Sequence, residues 1–500
     1  MTGPASDSRQ PLLVNPALDP LTYVNVGKNG CLNGVLGTDA KAIDAILEHL
    51  EKPEITKIVL HFHGGLVNAE AGQLTAVTMV PLYISAGSHP IVFIWETGFL
   101  DTIKKNLTQI HQTSLFKKIL AYAVQQLGKR LHIPIPGRGE GQLEPLETVA
   151  AKIDTPGGLE SYEEGARGGS ERLTDAKVEE MRLQVQEEIT FQIENDIARD
   201  RELDAILTRQ VNETPLLDQK KIFDGKTSEG RGILSVSKLA FAIAQIVYRT
   251  TKRYLHKRQH GFGPTVVEEI LRELYMADLG AWVWKGMKDV AEQTWLPNDD
   301  LKGKAIHGGR YLLEGIARTQ KNKPSLIVDL VGHSAGSIAI CHLLKTVAEN
   351  NLNLAVRKVV LLAPACTSRL FLGEVVRHPE RYSECRLFTM NDTYEQKNHL
   401  VEIVYDRSLL YLISGILESE EVDLPIAGMM RFESGGDPFD RSDLNEIRRF
   451  LFSDGPQRTV LSLTSATAPT APVGLRSNSA RHQDFNTDGD TQESLIALIR

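Results

Sequence analysis

Apolar positions recur along this chain with two periods, and the change from one to the other marks out its elements. Residues 39–50 (DAKAIDAILEHL) carry apolar side chains three and four positions apart, which predicts an amphipathic helix capped by Thr38. Two short β-type runs follow, 57–62 (KIVLHF) and 91–95 (IVFIW), with a helix expected over 72–86 between them, so this part reads as a βαβ unit. Further strands are expected over 326–331, 358–362, 386–390 and 459–463, the first two flanking a helix of small residues. Alternating strand and helix predicts an α/β fold with a mostly parallel central sheet flanked by helices.

The stretch between Trp95 and Leu326 is far longer than a crossover connection needs, so a large insertion is expected there. Its part 136–172 (with GRGEG, PGG and ARGGS) has the composition of a weakly ordered linker. From 174 to 208, Val178, Met181, Val185, Ile189, Ile193 and Ile197 recur at helical spacing and predict one long amphipathic helix. A further helical stretch spans 264–295, with Pro264 in its first turn and Trp282, Trp284 and Trp295 read as core side chains. The run 239–248 (LAFAIAQIVY) leads into a basic end reaching 258. That pattern suits either a core helix, the preferred reading, or peripheral contact with an anionic membrane.

Composition narrows the class. With 42% hydrophobic and 24% charged residues in 500, the chain is long enough for a sizeable core. A net charge of -8 supplies no overall basic surface, so no nucleic-acid partner is expected. Cys31, Cys341, Cys366 and Cys385 lack CxxC spacing and scaffold density, which points to reduced thiols and a cytoplasmic location. The start, MTGPASDSRQP, does not resemble a secretory signal peptide, and no apolar run reaches the roughly 18 residues that crossing a bilayer needs.

The clearest chemical signal is Gly332-His333-Ser334-Ala335-Gly336, placed after an apolar strand and before a small-residue helix. A hydroxyl becomes a useful nucleophile when a sharp turn presents it beside a base, and the flanking glycines leave room for that turn. Ser334 fits the role; a phosphate-binding or merely tight corner is the competing reading. At the end of the earlier strand, His63-Gly64-Gly65 suits a loop that turns an amide toward an oxyanion, so the donors are assigned to Gly65 or Leu66 and to Ala335. His61 and His63 read as hydrogen-bonded structural histidines. A zinc reading of that pair with Asp329 lacks a matching ligand set, so no metal and no cofactor are expected.

Through HGG at 63–65 and GHSAG at 332–336, the sequence resembles the α/β-hydrolase superfamily, in particular its lipase and esterase-like members. The chain pattern gives a leader over 1–20, core parts over 21–130 and 301–500, and a helical cap over 131–300 between the fourth strand and the nucleophile strand, a departure from the many relatives whose lid follows the sixth strand. The resemblance implies the chain order nucleophile, acid, histidine. Of the histidines after Ser334, only His482 lies beyond the last strand, so it becomes the expected general base. Asp392 directly follows the strand at 386–390 and is the expected acid, with Glu395 and Asp406 as substitutes. The expectation is a serine hydrolase that cleaves an apolar or lipid acyl ester. Thioesterase, amidase or acyltransferase chemistry and a non-catalytic interaction role are the alternatives.

Overall fold

The computed structural model describes residues 14–64, 68–95, 99–133, 144–170, 174–184, 190–201, 217–218, 223–224, 233–234, 236–275, 281–298, 306–418, 422–464 and 470–500. Its nine described strands are β1 (Tyr23–Val26), β2 (Lys57–Phe62), β3 (His89–Trp95), β4 (Phe223–Asp224), β5 (Ile233–Leu234), β6 (Ile327–His333), β7 (Val356–Leu362), β8 (Tyr382–Met390) and β9 (Thr459–Ser462). Seven form one parallel sheet in the order β1-β3-β2-β6-β7-β8-β9, while β4 and β5 make a small antiparallel pair. The expected α/β class is therefore present.

The strands are near-continuous apolar runs because both sheet faces are covered. On one face Val59, Val331, Val360 and Phe388 pack with Met79 and Tyr83 of helix Ala69–Ser85 and with Leu495 and Leu498 of helix Gly489–Ile499. On the opposite face Phe62 and Phe93 meet Trp295, at ring separations of 5.8 and 5.7 Å, so Trp295 is a core side chain as expected. Trp284 is buried too.

The chain divides into two compact units. The first comprises Met1–Asp101, Val283–Glu395 and Pro425–Arg500 and contains the whole sheet. The second comprises Thr102–Trp282 and Gln396–Leu424. It thus starts earlier than residue 131, ends before residue 300, and includes a segment from between β8 and β9 that the sequence pattern did not attach to it. Helix Val236–Leu255 is its centre, packed by helices Ser114–Arg130, Thr190–Arg199 and Phe262–Leu274. The run 239–248 turns its apolar side chains inward, only Phe241 among them being exposed, and the basic end is engaged within the unit: Arg249 with Glu273 at 2.8 Å, Arg253 with Glu268 at 2.6 Å.

Two element expectations are corrected. Asp39, not Thr38, caps helix Ala40–Glu51, because the Thr38 hydroxyl is already accepting the Asn25 amide at 2.9 Å. The supposed linker at 136–172 contains helices Leu146–Ile153 and Glu163–Ser170; Val149, Ile153 and Tyr162 are buried, and Tyr162 stacks on Phe262 at 5.0 Å. Of the stretch 174–208, Asp175–Gln184 and Thr190–Arg199 are helical and Val185 and Ile189 lie outside the described residues; the stretch 264–295 holds helices Phe262–Leu274 and Ala281–Gln293. All four cysteines are free and buried, and among the described residues no helix is long and apolar enough to cross a membrane.

Candidate active site

The chain leaves β2 toward β3 on one side and reaches β6 on the other, so the sheet has its topological switch between β2 and β6. In parallel α/β sheets that crevice, at the strands' C-terminal ends, is where ligands are held. Register places Phe62 opposite Gly332, which brings His63-Gly64 alongside His333-Ser334. The approach is close: a side-chain carbon on Gly64 would lie 3.3 Å from His333 Nδ1 and 3.4 Å from Ser334 Cβ.

The serine turn is held open by its glycines. A Cβ on Gly332 would fall 2.9 Å from the Gly336 carbonyl carbon, and one on Gly336 would fall 2.9 Å from the carbonyl carbon of Phe62. Ser334 itself has φ +52°, left-handed backbone that costs a non-glycine residue about 1–3 kcal/mol and needs outside support. That support comes from four hydrogen bonds. The Ser334 amide donates to Leu362 O at 2.8 Å, and its carbonyl accepts from the Ser337 amide at 3.0 Å, the Ser337 hydroxyl at 2.6 Å and the Ala365 amide at 3.0 Å. Its hydroxyl is buried and has no hydrogen-bond partner among the described residues. Ala335, also buried, opens helix Gly336–Glu349, where amides lack intrahelical acceptors. Gly65 and Leu66 lie outside the described residues.

Four buried histidines surround this turn. His61 of β2 and His63, just past its end, lie on the sheet face toward helix Ala69–Ser85. His61 Nδ1 meets the Tyr83 hydroxyl at 2.7 Å; His63 Nδ1 donates to Gly64 O at 2.7 Å, and its Nε2 accepts from the Trp95 amide at 3.3 Å. Both are hydrogen-bonded, as expected of structural histidines, while His61 Nε2 has no partner among the described residues. Asp329, the third group weighed as a metal ligand, is committed to Arg357, with Nε donating to Oδ1 at 2.9 Å. His333 Nε2 donates to the carbonyl of His482 at 2.9 Å, and the two rings are 5.2 Å apart. Burial, reinforced by neighbouring imidazoles, lowers His61 and His482 to about 3; burial lowers His63 and His333 to about 4. All four are neutral near pH 7.

The structure thus gathers Ser334, Ala335, Gly64, His333 and His482, but does not close a hydrogen-bonded triad. Neither ring nitrogen of His482 has a partner among the described residues. Asp392 begins helix Asp392–Lys397 directly after β8 and is not hydrogen-bonded to His482. Glu395 lies in the same helix, buried, while Asp406 belongs to the second unit. Two contributors escaped the sequence reading. Ser337 has a readable signal, a hydroxyl one turn beyond the nucleophile; Asn486, whose Nδ2 lies 3.2 Å from His333 Nδ1, has none.

Fold and site together define an α/β protein whose parallel sheet carries, at its switch point, a buried serine on a strained strand-to-helix turn. The chain matches no protein-family model, no curated protein and no solved structure.

Proposed function

We propose that this protein is a serine hydrolase of the α/β-hydrolase type that cleaves carboxylic esters. The observation carrying this reading is Ser334, a left-handed residue whose hydroxyl has no partner among the described residues, adjoining His333, whose ring is 5.2 Å from that of the neutral His482. In the proposed reaction His482 takes the hydroxyl proton while Ser334 Oγ attacks the ester carbonyl. Amides of Ala335 and of Gly65 or Leu66 receive the oxyanion, and His482 returns the proton to the leaving alcohol. Water then attacks the acyl-enzyme by the reverse proton path. Asp392 is assigned to orient the imidazole, which requires the His482 ring and the 392–397 helix to come together in the substrate complex, where catalytic hydrogen bonds tighten. The chemistry needs neither metal nor cofactor. An apolar acyl or lipid ester is the proposed substrate, with thioesters, amides and acyl acceptors open to the same nucleophile.

A second reading, a hydrolase-like core used for binding, is favoured by one observation: burial holds His482 low, and among the described residues no carboxylate is hydrogen-bonded to its ring to raise it. A fluorophosphonate probe separates the two. Covalent labelling that maps to Ser334 and vanishes in Ser334→Ala, with turnover of at least one acyl ester, supports the enzyme. Folded wild-type protein that neither labels nor turns over esters supports the binding reading.

A further inference from the structure

His333 joins the nucleophile turn to the loop of His482, and its hydrogen bonds leave one assignment for the ring. Nε2 faces the carbonyl oxygen of His482, which can only accept, so Nε2 carries a proton. Nδ1 faces the side-chain amide of Asn486. If Asn486 presents its NH2 group, Nδ1 accepts and the ring is neutral; if it presents oxygen, Nδ1 needs a second proton and the ring becomes a cation. A charge there would be buried and would act on His61, His63 and His482, the titratable groups facing it. The neutral arrangement therefore prevails, in keeping with a value lowered to about 4. Asn486 is itself fixed: its neighbour Phe485 is buried against Val331 and Leu362, and Gln492 Nε2 donates to its carbonyl at 2.7 Å.

We propose that His333 and Asn486 are positioning residues of the general base: Asn486 holds the proton of His333 on Nε2, and that N–H grips the main chain of His482. His333 is bonded directly to Ser334, so the grip, which joins His333 to His482 across 149 positions of sequence, ties the base to the nucleophile. This role rests on the hydrolase reading. It explains how His482 keeps its place although no carboxylate among the described residues is hydrogen-bonded to its ring.

Two measurements on the full chain test it. Histidine-selective 15N spectroscopy should show His333 as a neutral Nε2–H ring from pH 5 to 9, and Asn486→Asp should convert it to a doubly protonated ring. A wild-type Nδ1–H tautomer, or wild-type titration near neutral pH, overturns the assignment. In parallel, the rate of fluorophosphonate labelling of Ser334 should fall at least tenfold in Asn486→Leu. Circular dichroism confirms that the variant is folded, and Asn486→Gln, which keeps an amide, should recover part of the loss. Wild-type labelling that Asn486→Leu leaves unchanged refutes the positioning role alone; absence of wild-type labelling refutes the hydrolase reading and the role with it.

Discussion

Gly336→Ala tests the packing that creates the serine turn. The new methyl carbon would run into the carbonyl oxygen of Phe62 and stand 2.9 Å from its carbonyl carbon and 3.0 Å from its Cβ, where carbon contacts settle near ~3.5–4.0 Å. Phe62 cannot swing aside, because β2 is hydrogen-bonded to β3 on one side and β6 on the other. Overpacking of this kind costs about 1–3 kcal/mol, and backbone against backbone belongs at the upper end. Replacing glycine by alanine in a helix returns about 1 kcal/mol. The expected net destabilisation is about 2 kcal/mol, which at a urea dependence of about 3 kcal/mol per molar lowers the midpoint by roughly 0.7 M. Tryptophan fluorescence follows it, since Trp95, Trp284 and Trp295 belong to the unit that holds the sheet. A midpoint equal to wild type or higher would refute the reasoning, because an unstrained Gly→Ala change stabilises by about 0.4–1 kcal/mol.

Two other outcomes concern buried charge. Burial raises Glu433 from 4.5 to about 7, against a weaker lowering by Arg448, and neither carboxylate oxygen has a partner among the described residues. Its protonated form is favoured by folding, so its contribution to stability is complete below about pH 4.5 and is lost by about pH 7, at about 3 kcal/mol. Glu433→Gln should remove that component from unfolding midpoints measured across this window, and an unchanged difference between pH 4.5 and 7 counts against it. In the second unit, His260 places Nδ1 2.8 Å from Glu268 and Nε2 2.7 Å from Asp423, all three fully buried. His260→Leu takes the imidazole away from both buried carboxylates, at a cost of about 3–5 kcal/mol, read as faster amide hydrogen exchange across Gln396–Leu424; exchange at the wild-type rate would contradict it.

Legibility followed the range of the forces involved. β2 was readable to the residue, since KIVLHF is buried on both faces and bounded by polar positions. The turn at Ser334 was readable because only glycine tolerates the approaches at Gly332 and Gly336. β1 escaped notice: YVNV holds a polar residue mid-strand, and Asn25 is tolerated there only because its Nδ2 donates to Ile94 O at 2.9 Å and its Oδ1 accepts the Leu36 amide at 2.8 Å. Glycine content made 136–172 look loose, yet Glu144, Lys152 and Tyr162 form a hydrogen-bonded cluster there, with Lys152 Nζ 2.9 Å from Glu144. His482 could be selected by elimination along the chain, whereas Asn486 acts through one tertiary contact that leaves no periodic trace.

The division of the second unit into two pieces bears on how the chain comes off the ribosome. Asp423 is made 163 residues after the imidazole it receives, a delay of roughly 8–30 s at ~5–20 residues per second. Until Tyr405 and then Asp423 are made, Glu268 and Arg253 have neither, and the nascent unit cannot complete its ionic interior. Residues 102–282 expressed as a fragment would be arrested at that same stage, and supplying the 396–424 peptide in trans should release them.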